Sequence, residues 1–241
     1  MSKLIWLLGW ALLSSAFAQP LKLTTGNDFP PYSDPRLPQG GFASALVQQV
    51  LDQAGLNHQL AFNSWTRGYQ LTSRLEYDLT FPYVRTQERE QDFAFSLALF
   101  DLATSIVVLD QQLAILSAKQ PQGLTLCRPE GYSTSVAELH GLKLVQPLNL
   151  EACLQMLYHQ RVDGILLTPS IAIFSAMQMG LDWSKLVQLG PTLANESLHL
   201  MISHKHPELE QLLPKINDAI SHLLAESSSD ERLKLYLSQL N

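Results

Sequence analysis

From Leu21 to Leu189, short apolar runs suited to strands alternate with segments whose apolar residues recur at helical spacing. Leu21–Thr24 reads as a strand, and a segment rich in glycine and proline follows it, from Gly26 to Gly41. Phe42, Leu46, Val50 and Leu51 then mark a helix that Gly55 stops. Gln59–Phe62 and Asp78–Phe81 read as strands flanking a short helix, Arg67–Leu75. This β-α-β-α-β order predicts a parallel sheet covered by helices.

A second series follows an apolar, β-branched run, Thr104–Leu109. Its expected strands are Leu124–Cys127, Leu142–Val145, Gly164–Leu167 and Leu186–Leu189, with helices Leu150–His159 and Ile171–Met179. Leu198–Ser203 reads as one more strand. Pro207–Ala225 is an amphipathic helix, and Ser227–Ser229 can cap a last one, Asp230–Leu240. Two α/β series without a flexible linker predict two lobes joined by crossing strands, with a ligand cleft between them. No short-period repeat is present, which excludes a solenoid.

The first eighteen residues read as an export signal. Lys3 supplies the positive end, Leu4–Leu13 an apolar core, and Ala16-Phe17-Ala18 a small-x-small cleavage site. The core is shorter than the ~20 residues that span a bilayer, and no lipobox cysteine follows it. Cleavage would leave about 220 residues beginning at Gln19, enough for two modest domains. The net charge of -6 then falls to -7 with the loss of Lys3, which argues against nucleic acid or an anionic membrane as the main partner.

Cys127 and Cys153 are the two cysteines. They are either a disulfide or two buried thiols, and export to an oxidising compartment favours the bond.

Between Pro82-Tyr83 and Phe93–Ser96 stands Thr86-Gln87-Glu88-Arg89, a TxxR motif. Its setting resembles the N-terminal lobe of the family 3 bacterial extracellular solute-binding proteins, which include the polar amino-acid-binding proteins of ABC transporters. The resemblance extends along the chain. Gly26–Tyr32 is similar to the family's opening loop, where an aromatic residue packs on the ligand. Gly41-Phe42 resembles a helix start, with Ala43 in place of the usual polar residue. Gly131-Tyr132-Ser133 resembles the turn after the first strand of the second lobe. Arg161–Gly164 is similar to the GRxDA segment, and Leu198–Pro207 to the returning strand.

The resemblance implies a two-lobed periplasmic binding protein fold of type II, α/β throughout. Residues 19–107 would form the first part of lobe 1, 108–196 lobe 2, and 197–241 the return to lobe 1. It implies a monomeric protein, periplasmic in a Gram-negative source, that passes a small carboxylate-bearing ligand to an ABC permease or a membrane receptor. Arg89 would grip the carboxylate, since a guanidinium matches its two oxygens with charge assistance. The residues alone also allow a surface ion pair with Glu88, Glu90 or Asp92. Phe29, Trp65 and Tyr83 would wall the site or pack in the core, and the Gly131-Tyr132-Ser133 turn would donate backbone and hydroxyl groups to the ligand carboxylate. Ser133 and Thr168 would face the ligand from lobe 2. Arg67 would add positive potential or stay solvated.

Two departures from the family pattern bear on the ligand. Thr168 stands where amino-acid binders carry an aspartate for the ammonium, and a buried ammonium without a carboxylate is poorly compensated. Pro82-Tyr83-Val84 replaces small hydroxyl residues and makes the pocket more aromatic. The expected ligand is therefore a carboxylate, without commitment to a standard amino acid.

No catalytic residue is assigned. A cleft enzyme of the cyclohexadienyl dehydratase type would need a placed acid or base, for which Glu130, beside a turn, is a candidate unless it is solvated. His199, His204 and His206 have no metal-ligand spacing, and there is no P-loop or Rossmann fingerprint, so neither metal nor cofactor is expected.

Overall fold

The computed structural model describes residues 19–240. The expected export signal lies outside the described residues. Among the described residues, no helix is long and apolar enough to cross a membrane.

The first half of the chain contains β1 (Leu21–Gly26), α1 (Phe42–Gln53), β2 (His58–Asn63), α2 (Trp65–Ser73) and β3 (Leu79–Val84). β1 lies between β2 and β3 and pairs parallel with both. Then comes β4 (Phe93–Leu109), followed by α3 (Asp110–Ser117), β5 (Thr125–Cys127), α4 (Ser135–His140), β6 (Lys143–Val145), α5 (Leu150–Tyr158), β7 (Gly164–Leu167) and α6 (Pro169–Gln178). β5 pairs parallel with β6 and β7. The chain returns through β8 (Leu186–Ser203) and ends in α7 (Leu209–Glu226) and α8 (Ser229–Ser238).

β4 and β8 form the joint. They pair antiparallel along most of their length, from Phe93↔Ser203 to Leu109↔Leu186. The end of β8 continues into the first parallel set through β3, and the end of β4 continues into the second through β7. One sheet therefore runs β2-β1-β3-β8-β4-β7-β5-β6. The helices cover it because their apolar faces need burial. In α1, Phe42, Leu46, Val47, Val50 and Leu51 are buried, and Gly55 follows at φ +66° in the left-handed region that favours glycine.

The crossing strands are longer than the sequence pattern indicates. The expected runs Thr104–Leu109 and Leu198–Ser203 are only the ends of β4 and β8, and the expected strand Leu186–Leu189 is the start of β8. The alternation is hidden where β4 shifts register against β8, between Phe95 and Phe100 and again between Thr104 and Ile106. Two short helices, α3 and α4, were not legible. In α3 only Leu116 is buried, so no apolar stripe marks it.

Cys127, at the end of β5, is bonded to Cys153 in α5, with Cα atoms 5.6 Å apart. The disulfide fastens a helix to the second parallel set in a region without solvent access.

Candidate functional site

In an open α/β sheet, ligand crevices form outside the carboxyl ends of the parallel strands. Those ends converge here. Tyr83 and Val84 close β3, Arg128 follows β5, Leu167 closes β7 with Thr168 next to it, and Phe29 follows β1. With the middle of β4 and β8 they line one cleft with ≈ 480 Å³ of atom-free space, counted out to its mouth.

The aromatic wall is built first. Gly26 ends β1, and a Cβ there would lie 2.1 Å from the Trp65 ring, so glycine lets the indole rest against the backbone. Trp65 Nε1 donates to Asp28 Oδ1 at 2.8 Å. The indole stands edge-on to Phe29, Tyr83 and Tyr132, with ring centroids 5.7, 5.4 and 5.9 Å away. Such edge-to-face contacts fix ring orientation. Burial pushes the Tyr83 hydroxyl up to about 12 and the Tyr132 hydroxyl well above its ordinary value, which keeps both protonated.

Arg89 enters from the turn after β3. The Thr86 hydroxyl accepts the Arg89 amide at 3.3 Å, so the two ends of the TxxR motif set the turn. Arg89 Nη1 donates to Val84 O at 2.8 Å, Nη2 donates to Gly131 O at 3.0 Å, and the guanidinium carbon lies 5.0 Å from the Tyr83 ring centre. Among the described residues, no carboxylate lies within ion-pair distance of Arg89. The alternative of a surface pair is taken by its neighbour, since Arg85 binds Glu90. Burial draws the Arg89 pKa down from the guanidinium range. Its charge is therefore placed at a cost in the cleft, where the lining carboxylate, Glu196, is paired with Arg128 instead.

The second lobe contributes Tyr132, Ser133 and Thr168. Ser133 is buried, and its hydroxyl shares a hydrogen bond of 2.6 Å with Ser135 Oγ. Thr168 precedes α6 and makes no side-chain cap to it.

Phe29, Trp65, Tyr83, Arg89, Tyr132, Ser133 and Thr168 thus meet in one place. Arg67 does not join them. It is exposed on α2, while the neighbouring Trp65 takes the inward position at the start of that helix. Glu130 is also exposed and outside the cleft lining, within 3.3 Å of the Thr66 hydroxyl. The histidines are engaged singly: His199 with Ser96 O, His204 with Glu90 O, and His206 with Asp78.

Two lining residues were missed from the sequence: Arg128 and Glu196, a buried ion pair at 3.4 Å. Charged residues are rarely buried, so nothing in a single sequence marks them. The one available signal is position, since Arg128 directly follows an expected strand and Glu196 precedes another.

A model of the bacterial extracellular solute-binding proteins, family 3, matches residues 21–239. The chain belongs to that family. A comparison with individually curated proteins found no match. Solved structures share the fold at low identity. The GluR0 ligand-binding core from Nostoc punctiforme, in complex with L-glutamate, is 20% identical with a TM-score of 0.73, over 90% of this chain and 99% of that one. The arginine-, lysine-, histidine-binding protein ArtJ from Geobacillus stearothermophilus is 18% identical with a TM-score of 0.74, over 91% and 96%. The ancestral amino-acid-binding protein AncCDT-1, a precursor of cyclohexadienyl dehydratase, is 17% identical with a TM-score of 0.72, over 90% and 94%. The two-lobed type II fold anticipated from the resemblance is the fold of this solute-binding protein.

Proposed function

We propose that this solute-binding protein captures a small carboxylate-bearing metabolite in the cleft and presents it to an ABC-type permease of the inner membrane. The observation that carries the reading is the cationic Arg89, enclosed among aromatic rings without a carboxylate partner. A ligand carboxylate supplies the missing counterion through charge-assisted hydrogen bonds. Trp65, Phe29, Tyr83 and Tyr132 remove the ligand's apolar body from water. Ser133 and Thr168 meet it from the second lobe.

In this reading residues 19–107 and 197–241 act as one lobe and 108–196 as the other. They close about β4 and β8 in the hinge motion of periplasmic binding proteins. The mature protein works as a monomer in the periplasm after loss of its first eighteen residues, and it binds without turnover.

Calorimetric titration of carboxylates beside their methyl esters tests the proposal. The acids should bind at one per chain, about 10- to 100-fold tighter than the esters, as expected for loss of charged hydrogen bonds. Esters that bind as well as the acids would contradict it.

A further inference from the structure

The cleft contains a second charged element besides Arg89. Arg128 and Glu196 are 4% and 8% exposed, and both side chains line the cavity. They arrive from distant parts of the chain, Arg128 from the end of β5 and Glu196 from the middle of β8, where it stands opposite Leu102 of β4. Arg128 Nη1 donates to Leu166 O at 2.8 Å and Nη2 donates to Glu196 Oε2 at 3.4 Å. The Thr104 hydroxyl donates to the same carboxylate oxygen. One polar atom on each side chain is left buried without a protein partner: Arg128 Nε, a donor, and Glu196 Oε1, an acceptor. Buried polar groups are ordinarily satisfied, and exceptions call for an explanation.

Charge decides among the ligand groups that could satisfy them. The cleft holds two cations, Arg89 and Arg128, against one anion, Glu196. A ligand carboxylate on Arg89 brings the balance to neutral. An ammonium beside the pair would meet the repulsion of Arg128 and leave its Nε unsatisfied. A second carboxylate would meet the repulsion of Glu196 and leave Oε1 without a donor. A neutral hydroxyl both donates and accepts, and so complements the two orphan atoms. Burial draws Arg128 down from the guanidinium range, with Glu196 opposing the shift.

We infer that the ligand is a monocarboxylate with a neutral hydroxyl on an aromatic body, which the rings of Phe29, Trp65, Tyr83 and Tyr132 lining the cleft would take, and that the Arg128–Glu196 pair is the specificity element that receives the hydroxyl. The inference rests on the carboxylate reading above and narrows it. It selects against zwitterionic α-amino acids, whose ammonium finds neither an acid at Thr168 nor a free charge on Glu196.

Calorimetry on the mature protein tests this with para-hydroxyphenylacetate and para-hydroxyphenylpropanoate, each beside its deoxy counterpart, and with L-tyrosine. In the wild type the hydroxylated acids should bind about tenfold tighter than the deoxy acids. L-Tyrosine should bind more weakly than para-hydroxyphenylpropanoate, which lacks only the ammonium. In the double variant Arg128→Met/Glu196→Leu, the hydroxyl preference should vanish while the deoxy acids still bind. Should that variant fail to fold, the wild-type comparison of L-tyrosine with its des-amino analogue decides alone. Tighter binding of L-tyrosine would overturn the inference and leave the carboxylate reading standing. An unchanged hydroxyl preference in a folded double variant would do the same. Binding of none of these acids would overturn the inference, and the wider acid–ester comparison would then judge the carboxylate reading separately.

Discussion

Arg89 Nη2 donates to the backbone carbonyl of Gly131 at 3.0 Å, joining the turn after β3 to the turn after β5. The residue proposed to hold the ligand thus also bridges the two sides of the cleft. Its partner tolerates no side chain. Gly131 has φ +82°, and a Cβ there would lie 2.5 Å from Trp65 Cβ.

Gly131→Ala should therefore wedge the cleft. Such overpacking costs on the order of 1–3 kcal/mol, and it acts only when Trp65 and Gly131 are in contact. The variant should bind ligand about 5- to 150-fold more weakly and should show a larger radius of gyration in small-angle scattering of the unliganded protein. Unchanged affinity and dimensions would show that the contact is not part of closure.

A second bridge runs through Asp28. Its Oδ1 accepts from Trp65 Nε1 at 2.8 Å, and its Oδ2 accepts from the Leu150 amide at 3.2 Å, at the first turn of α5. Burial nevertheless raises this carboxyl above the ordinary value of 3.8, against the lowering effect of both donors. Because the folded value lies above the unfolded one, its contribution to stability is fully present below pH 3.8 and is lost as pH rises through the folded value. The melting temperature of the wild type should thus gain on that of Asp28→Asn as pH falls from neutrality. A difference that is flat, or that shifts toward the variant on acidification, would contradict the assignment.

The disulfide between Cys127 and Cys153 closes a loop of sequence separation 26. Constraint of the unfolded chain by such a loop is worth roughly 3–4 kcal/mol. The variant Cys127→Ala/Cys153→Ala should lose about that much in denaturant unfolding. An unchanged midpoint would show that the bond adds nothing to stability.

How far the site was legible follows from how its residues reach it. Arg89, Thr86 and Gly131–Ser133 were legible through the resemblance of two short, local motifs to those of family 3; without it Arg89 reads more readily as a surface ion pair. Trp65 and Arg67 lie two residues apart at one helix start, and a sequence does not say which of them turns inward. In the structure Trp65 does, held by Asp28 and seated on Gly26. Arg128 and Glu196 are separated by 68 positions and meet only because β5, β7, β4 and β8 are neighbours in the sheet. Strand periodicity failed for a related reason, since the register shifts of β4 against β8 break the alternation by which a strand is recognised.

Stability should reveal the same pair independently of any ligand. Removing one partner of a buried ion pair leaves an uncompensated charge and costs about 3–5 kcal/mol, whereas replacing both with apolar residues is often neutral. Glu196→Leu alone should be strongly destabilised, and Arg128→Met/Glu196→Leu should recover most of the loss. Additive losses in denaturant unfolding would show that the two charges are not coupled.

Arg89 is the residue on which the proposed capture of a small acid depends. Native mass spectrometry of the gently purified mature protein, beside Arg89→Ala, addresses it most directly. A small acidic molecule should be bound to the wild type and missing from the variant. The same molecule at the same occupancy on Arg89→Ala would contradict it.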